Sequence, residues 1–463
     1  MASTTAGLHA PHLNRVLRSP AAPAKPTVHR DWGRIAFQYA PILAVTLLAK
    51  IAVPPFSKIG LGIDLPILLA VVLIGLCVGR FQVHVTRLLL YLLTIGWLGA
   101  SQLLLDNPFS PSSIAFLALL FLPLTLQLRP DKVSRIAPPP TGDPLQAALQ
   151  AMTGMAAFFA LLGVLQYTLQ YVIGQKLAFP IEHFVPDAFT THKYNHLIPI
   201  REGGMILKSN GVFFLEPSFY SQFIGLGLVL ELSMRNRPLR IALLVAGLAV
   251  AYSGTGIVVA TVGIAGLVIV KRRWDVIVFV ILAVLAALLL SDVLQLDRLF
   301  NRIAEFQSTR SSASARFVAW IDMLQQHWWL DGMRALFGAG AGSFSSYAVT
   351  ARLATAEMSF SKMLFEYGIV GATLFFGFLA YVLNSMPAPL AFRLGLCASL
   401  FLNGAFATFP IGIAASILLW PPGRTIGAGL APRRSATRQE SRFGGAFDGR
   451  IDPRLDPYLG GTP

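Results

Sequence analysis

The sequence predicts an all-α fold: a polytopic transmembrane helix bundle of about twelve helices, with two long external loops. Hydrophobic residues make up 55% of the 463 residues and charged residues only 13%, whereas a soluble domain has about 25% charged residues. The apolar residues fall into separate blocks of roughly 15 to 25, enough to cross a hydrocarbon core about 30 Å thick. The net charge of +15 comes from short basic runs between these blocks, a pattern typical of membrane topology signals.

Each apolar block predicts one helix, and the blocks follow one another along the chain with short polar or basic connections. The predicted helices cover residues 35–51, 61–79, 84–105, 112–128, 145–173, 214–234, 241–252, 255–270, 275–291, 363–384, 390–408 and 411–420.

The two ends of the chain are predicted to be disordered cytoplasmic tails around a transmembrane domain at 35–420. Residues 1–34 are rich in Pro, Ala, His and Arg. The first apolar run begins too late and continues too long for a cleaved signal peptide. Residues 421–463 are rich in Gly, Pro and Arg without apolar periodicity, which is typical of a solvated segment.

The basic residues predict the topology, because cytoplasmic connections carry an excess of Lys and Arg. Alternate connections are basic, which predicts that both termini are cytoplasmic and that the loops 172–212 and 292–362 are external. For a bacterial chain this means the inner membrane. The basic connections contain Arg80, Arg87, Arg129, Lys132, Arg135, Arg235, Arg237, Arg240, Lys271, Arg272, Arg273 and Arg393.

The external loops also contain basic residues, which suit a polyanionic ligand at the membrane surface or are ordinary surface charge. Three of their histidines, His192, His196 and His327, are interpreted as polar loop residues rather than ligands. The stretches 296–303 and 315–330 have the spacing of amphipathic helices lying on the interface.

The glycines of FGAGAGSF do not have the GxGxxG spacing, and no βαβ pattern surrounds them. A tight turn that binds an anion through backbone N–H groups and a plain flexible turn are equally compatible with the spacing. The sequence has no Walker A, HExxH or GxSxG motif and no Asp-x-Asp pair. ATP hydrolysis and metal-dependent transfer from sugar nucleotides are therefore disfavoured.

Several segments, in this order, resemble the O-antigen ligase and polysaccharide polymerase (Wzy-like) superfamily of integral membrane glycosyltransferases of the GT-C type. They are KSNGVFFLEPSFYSQFIGLGLVLEL, AYSGTGIVVA, ARFVAW, FGAGAGSF and EMSFSKMLFEYGIVGATLFF, and they cover residues 211–383. Two departures favour an exopolysaccharide polymerase branch. Glu357 and Met358 stand where the family has His-Asn, and the turn at Ser253 lacks the family's Arg.

The resemblance implies transfer of a glycan from an undecaprenyl pyrophosphate carrier to a sugar hydroxyl at the external membrane face, without a cofactor or metal. The leaving pyrophosphate needs fixed cations, and the acceptor hydroxyl needs a general base. Other implied partners are membrane lipids and a chain-length regulator or export machinery. Nucleic acid is not expected.

The resemblance gives Arg316 as the pyrophosphate ligand, since it matches the Arg of an Arg-x-x-x-Trp segment; a snorkelling interfacial Arg is the alternative. Arg201 and Arg310 are further pyrophosphate candidates, with solvated loop cations as the alternative. Glu357 occupies the position of the base but is a different residue type, and an exposed loop carboxylate is the alternative. Glu216 is a second base candidate, because a charge at a membrane boundary is costly unless it faces a cavity or partner.

Three other functions remain open from sequence alone. One is a ligase that transfers O-antigen to the lipid A core. The second is a transporter or flippase for a polysaccharide precursor, which a bundle of this size also suits. The third is a scaffold in a secretion assembly.

Overall fold

The protein is described by a computed structural model. It covers residues 32–54, 62–103, 109–129, 144–191, 194–200, 203–272, 318–328, 331–351, 357–403 and 407–420, with Trp274, Val278, Ile281 and Ser314 between them. The predicted tail 421–463 and most of the tail 1–34 lie outside the described residues. So do the predicted amphipathic stretch 296–303 and, apart from two positions, the predicted helix 275–291.

The first part of the chain forms four helices and a small two-stranded sheet. The sheet pairs β1 (Phe81–Val83) antiparallel with β2 (Leu126–Leu128), so the fold is mostly rather than entirely α. A 3-10 turn (Leu122–Thr125) leads into β2. The helices are α1 (Trp32–Leu47), α2 (Asp64–Cys77), α3 (Val85–Leu103) and α4 (Pro111–Phe121).

The central part contains α5 (Pro144–Ile173), a loop with short turns, and then three successive helices. The loop holds α6 (Gln175–Ala178), α7 (Pro180–Phe184) and a 3-10 turn (Asp187–Phe189). The helices α8 (Pro217–Met234) and α9 (Pro238–Ala251) each begin at a proline, which suits the first helical position because its missing N–H is not needed there. The third helix is α10 (Gly254–Lys271).

The described residues from 318 onward form six helices. The short helix α11 (Ala319–His327) buries Met323 and Leu324 in a small core with Phe344 and Phe365, so it lies against the bundle. The others are α12 (Gly332–Phe337), α13 (Phe344–Thr350), α14 (Ser359–Asn384), α15 (Leu390–Leu402) and α16 (Thr408–Leu418).

The prediction of a mostly helical fold is confirmed, and every predicted helix except 275–291 has a counterpart among the described residues. Only two of these helices are both long and apolar enough to cross a membrane, Leu145–Ile173 and Ser359–Asn384. The bundle of twelve transmembrane helices stays a prediction.

Several predicted helix boundaries were wrong, and three of them involve residues that matter for the site or for the fold. The helix predicted at 112–128 ends at Phe121, and Pro123 lies in the 3-10 turn that follows. The helix predicted at 390–408 ends at Leu402, because Asn403 is extended and its side-chain amide donates to the Ser399 carbonyl at 2.8 Å. The helix predicted from 363 already begins at Ser359, which places Lys362 inside it.

The helix α3 has the polarity of a membrane helix, with polar side chains inside and leucines outside. Thr94, Ser101 and Gln102 are buried, whereas Leu89 is 61% exposed and Leu92 is 53% exposed. A helix of a soluble protein turns its apolar stripe inward. The outer surface of α3 therefore suits lipid better than water.

The helices run alternately up and down, so that their ends form two surfaces. At the surface that we call the arginine end, Arg87 donates to Ser385 Oγ at 3.0 Å, Arg393 donates to the Asn384 carbonyl at 2.7 Å, and Arg240 faces Glu231. At the opposite surface, the loop end, the Thr408 hydroxyl donates to Asp64. Contacts among the helix ends and the loop segments place the beginnings of α2, α4, α8, α10, α14 and α16 at the loop end, together with the ends of α1, α3, α5, α9 and α15.

Two glycines allow the backbone of α14 to touch the segment that follows α12. A Cβ on Gly368 would lie 2.3 Å from the Leu336 carbonyl oxygen, and a Cβ on Gly338 would lie 2.2 Å from the Glu366 carbonyl oxygen. Both residues have positive φ, 67° and 93°. At Gly368 the helix is interrupted, so this crossing sets the kink in α14.

Replacing Gly368 by Ala should sharply reduce the amount of folded protein. The φ alone costs about 1–3 kcal/mol for a residue with a side chain, and the overlap with the Leu336 carbonyl adds to this. Gly377→Ala is the matched control, because Gly377 lies in the same helix and a Cβ on it would have no other atom within 4 Å. Size-exclusion chromatography of detergent-extracted protein measures both. If the two variants are recovered as folded protein in equal amounts, the close contact between Gly368 and the Leu336 carbonyl is contradicted.

Candidate active site

The loop end brings together two carboxylates that sequence reasoning proposed as bases. Glu216 directly precedes α8 and Glu357 lies just before α14, 141 positions later in the chain (357 − 216). Both carboxylates act electrostatically on the hydroxyl of Tyr194, and Asp64 at the start of α2 does so as well. The starts of α8 and α14, and with them Glu216 and Glu357, lie close to each other, because Gln222 of α8 and Ser359 of α14 both form hydrogen bonds with Asn403.

Tyr194 is half-buried in the loop before α8, and its ring contacts Phe219 edge-to-face at 5.9 Å between centroids. Burial raises the pKa of its hydroxyl, and the three carboxylates raise that pKa further because a tyrosinate would repel them. Tyr194 therefore stays a neutral hydrogen-bond donor in the middle of an acidic group.

Glu216 is held by neutral donors. Its Oε1 accepts a hydrogen bond from the Asn195 backbone N–H at 3.2 Å, and its Oε2 accepts one from the Ser218 hydroxyl at 3.1 Å. The residue is partly exposed. It lies at a helix start, as expected for a carboxylate at the positive end of the helix dipole.

Glu357 is held differently, by an ion pair. Its Oε2 accepts from the Lys362 ammonium at 3.0 Å, and Lys362 also faces the buried Glu366 carboxylate at 3.3 Å. The side chain of Glu357 remains 29% exposed. One of its oxygens is thus occupied by a cation, which leaves the other for a substrate.

A buried polar network lies beneath these two residues and joins the helices that carry them. Gln222 of α8 accepts from the Asn403 amide at 2.8 Å and from the Ser399 hydroxyl at 2.6 Å. The Asn403 carbonyl accepts from the backbone and the hydroxyl of Ser359, at 2.9 and 2.7 Å. This network fixes the starts of α8 and α14 relative to each other, and so positions Glu216 and Glu357.

A buried ion pair lies next to this group, between the segment that follows α1 and the loop. The Lys50 ammonium donates to Glu182 Oε1 and to the Val212 carbonyl, both at 2.5 Å. Lys50 is 1% exposed and Glu182 is 4% exposed. Burial lowers the pKa of Lys50 to about 8, although the Glu182 carboxylate acts in the opposite direction.

The turn that receives Lys50 is strained. Val212 is β-branched and has φ 70°, a conformation that L side chains rarely adopt and that is enriched at functional sites. Gln166 of α5 holds the turn, because its Oε1 accepts from the Ser209 hydroxyl at 2.8 Å and from the Asn210 N–H at 3.0 Å. The Asn210 amide in turn donates to Glu182 at 2.8 Å.

Sequence reasoning missed Lys50, Glu182 and Tyr194. A charge within the predicted helix 35–51 was a signal for Lys50, since ionisable residues at membrane depth usually have a partner or a function. Glu182 and Tyr194 lie in a loop without periodicity, and no sequence signal marks them.

The predicted pyrophosphate ligands Arg316, Arg201 and Arg310 lie outside the described residues, as does His192. His196 is described, and its ring nitrogens lie 2.7 Å from the Leu215 carbonyl oxygen and 2.8 Å from that of Thr191.

The glycine-rich turn binds an anion, but that anion belongs to the chain itself. The Phe344 N–H donates to Glu366 Oε1 at 3.2 Å, and the backbone of Gly342 also interacts with this carboxylate. The N–H groups of Ala339 and Ala341 donate to Phe365 and Gln102. These groups therefore already have partners within the chain and are not available for a lipid phosphate.

Within the residues that the structure describes, no group of three or more His, Cys, Asp and Glu could hold a metal ion. Comparison of the chain with family models, with curated proteins and with solved structures found no match.

Proposed function

We propose that the chain is an integral membrane glycosyltransferase that polymerises or transfers lipid-linked oligosaccharide repeats in exopolysaccharide or O-antigen biosynthesis. The observation that supports this most is that Glu216 and Glu357 lie at the starts of α8 and α14, which the network of Gln222, Asn403 and Ser359 joins. Glu216 also accepts a hydrogen bond from Asn195, and Asn195 lines a cavity together with the buried Lys50 and Glu182 pair. Carboxylates that converge beside a cavity are typical of active sites.

The membrane location is supported by the polarity of α3 and by α5. The helix α5 buries Gln166 and Gln170, while Phe158 is 55% exposed and Leu165 is also exposed. We propose that the arginine end is cytoplasmic, because positive residues favour that side. The loop end is then external, both termini are cytoplasmic, and the membrane is the bacterial inner membrane.

In the proposed reaction, Glu216 accepts the proton of an acceptor sugar hydroxyl. The hydroxyl oxygen forms a bond to the anomeric carbon of the donor, and the bond from that carbon to the pyrophosphate oxygen breaks. Undecaprenyl pyrophosphate leaves with the electron pair. Arg316, with Arg201 and Arg310, is proposed to stabilise the charge that develops on it, since a guanidinium binds phosphate oxygens in a fixed, bidentate geometry.

Deleting the gene should abolish long-chain polysaccharide, while short lipid-linked repeats persist or accumulate, because polymerisation follows the assembly and export of repeats. Gel analysis of the polysaccharide and extraction of lipid-linked intermediates measure both. Polymer of normal length that is no longer attached to the lipid A core would instead indicate a ligase. Intermediates confined to the cytoplasmic face would indicate a flippase and contradict the proposal.

A further inference from the structure

A cavity of about 240 Å³ opens at the loop end beside Glu216. Drug-sized ligands occupy roughly 300–1,000 Å³, so this cavity suits something of the size of one sugar ring. Its lining includes Lys50, Glu182, Asp187, Tyr194, Asn195 and His196.

The Glu182 carboxylate that lines the cavity is incompletely satisfied. Its Oε1 accepts from Lys50 and Asn210, but its buried Oε2 has no hydrogen-bond partner among the described residues. A buried acceptor without a partner is costly, and such groups in native proteins usually serve a ligand or bind water. Glu182 Oε2 can therefore accept a hydrogen bond from an O–H or N–H group of a ligand.

The charges around the cavity argue against a phosphate. The only cation among the cavity residues named above is Lys50, and its ammonium already donates to Glu182 and to the Val212 carbonyl. Asp187 adds a second carboxylate to the lining. An anionic ligand would therefore meet two carboxylates and a cation that is already paired, whereas a neutral polyhydroxyl ligand would find acceptors for its hydroxyls.

We propose that this cavity binds a neutral sugar ring, with one hydroxyl donating to Glu182, and that the ring is the acceptor end of the glycan. The acceptor role rests on the proposed function. It is supported by Asn195, which lines the cavity and whose backbone N–H donates to Glu216. A sugar in the cavity thus contacts Asn195, which is hydrogen-bonded to the proposed base Glu216. The pyrophosphate of the donor binds outside this cavity.

Ligand-observed NMR on the full chain in detergent micelles tests the site without requiring turnover. The probes are methyl glycosides of glucose, galactose, mannose and N-acetylglucosamine, with methyl glucuronide and inorganic pyrophosphate for comparison. We expect at least one neutral glycoside to bind, and the glucuronide to bind at least tenfold more weakly than the corresponding glucoside.

Asn195→Trp should reduce binding of the neutral glycoside at least tenfold, because Asn195 is exposed at the cavity and a Trp there fills it. Phe184→Trp is the matched control, because Phe184 is exposed in the same loop but does not line the cavity. This variant should bind the neutral glycoside as tightly as the wild type does. Glu182→Gln should also weaken binding, and thermal stability measured in parallel identifies a folding defect in that variant.

Absence of binding by every neutral glycoside would overturn the proposal, and so would pyrophosphate binding that Asn195→Trp removes. If Asn195→Trp removes glycoside binding but deletion of the gene leaves polymer length unchanged, the sugar site stands and its acceptor role is overturned. The failure of the site and the failure of the proposed function are thus distinguishable.

Discussion

Replacing Glu216 by Gln should lower the rate of glycan transfer by about a hundredfold to ten-thousandfold, the usual loss when a general base is removed. Gln has nearly the same shape, and its amide oxygen can accept from the Asn195 N–H while its amide nitrogen donates to the Ser218 hydroxyl, but it cannot take up a proton. The initial rate of chain extension in membranes supplied with lipid-linked oligosaccharide is the measurement, normalised to the amount of protein in the membrane.

Glu357→Gln should have the smaller effect, although the resemblance alone ranks Glu357 first. One oxygen of Glu357 is bound to Lys362, whereas among the described residues Glu216 accepts hydrogen bonds from the neutral Asn195 N–H and Ser218 hydroxyl, and Asn195 lines the cavity. Glu231→Gln is the matched control, because Glu231 is a buried carboxylate at the other end of α8, where it accepts from the Arg237 N–H at 3.1 Å. Wild-type rates in Glu216→Gln membranes would show that the base lies elsewhere, with Glu357 next.

The helices could be predicted from the sequence because a continuous apolar block is visible without knowing its neighbours. Their ends were less predictable, since they depend on single side chains. Pro123 and Asn403 each lie within an apolar block, and only the packed structure makes clear that the helix changes there. The kink at Gly368 depends in the same way on a segment about thirty positions earlier, around Gly338.

The candidate site was predictable in part, and for different reasons at each residue. Glu216 stands out because a charge beside an apolar block is costly, and Glu357 was found through the resemblance. Tyr194 and Glu182 depend on contacts between distant segments: Glu182 lies 132 positions from its partner Lys50. Such a contact leaves neither a hydrophobic periodicity nor a motif in the sequence, so the cavity and its ion pair could be found only from the folded chain.

Replacing Lys50 by Met should destabilise the protein by about 3–5 kcal/mol, because it leaves the Glu182 carboxylate buried without its cation. The Val212 carbonyl, in a strained turn, would lose its donor as well. The loss appears as a lower melting temperature of the purified protein in detergent and as less folded protein after mild heating. Arg334→Met is the matched control, since the Arg334 and Asp331 side chains are 30% and 48% exposed and surface pairs contribute only about 0–1 kcal/mol.

The double variant Lys50→Met with Glu182→Gln separates an unpaired charge from a lost contact. It contains no buried charge at this position, and the amide oxygen introduced by Glu182→Gln can still accept from Asn210, so we expect it to recover most of the stability that Lys50→Met loses. If the double variant is instead no more stable than Lys50→Met, the pair contributes through packing and the buried charge is not the reason for the loss. If Lys50→Met melts at the wild-type temperature, Lys50 and Glu182 do not form a buried pair, and the cavity beside Glu216 loses the ion pair on which its preference for neutral sugars depends.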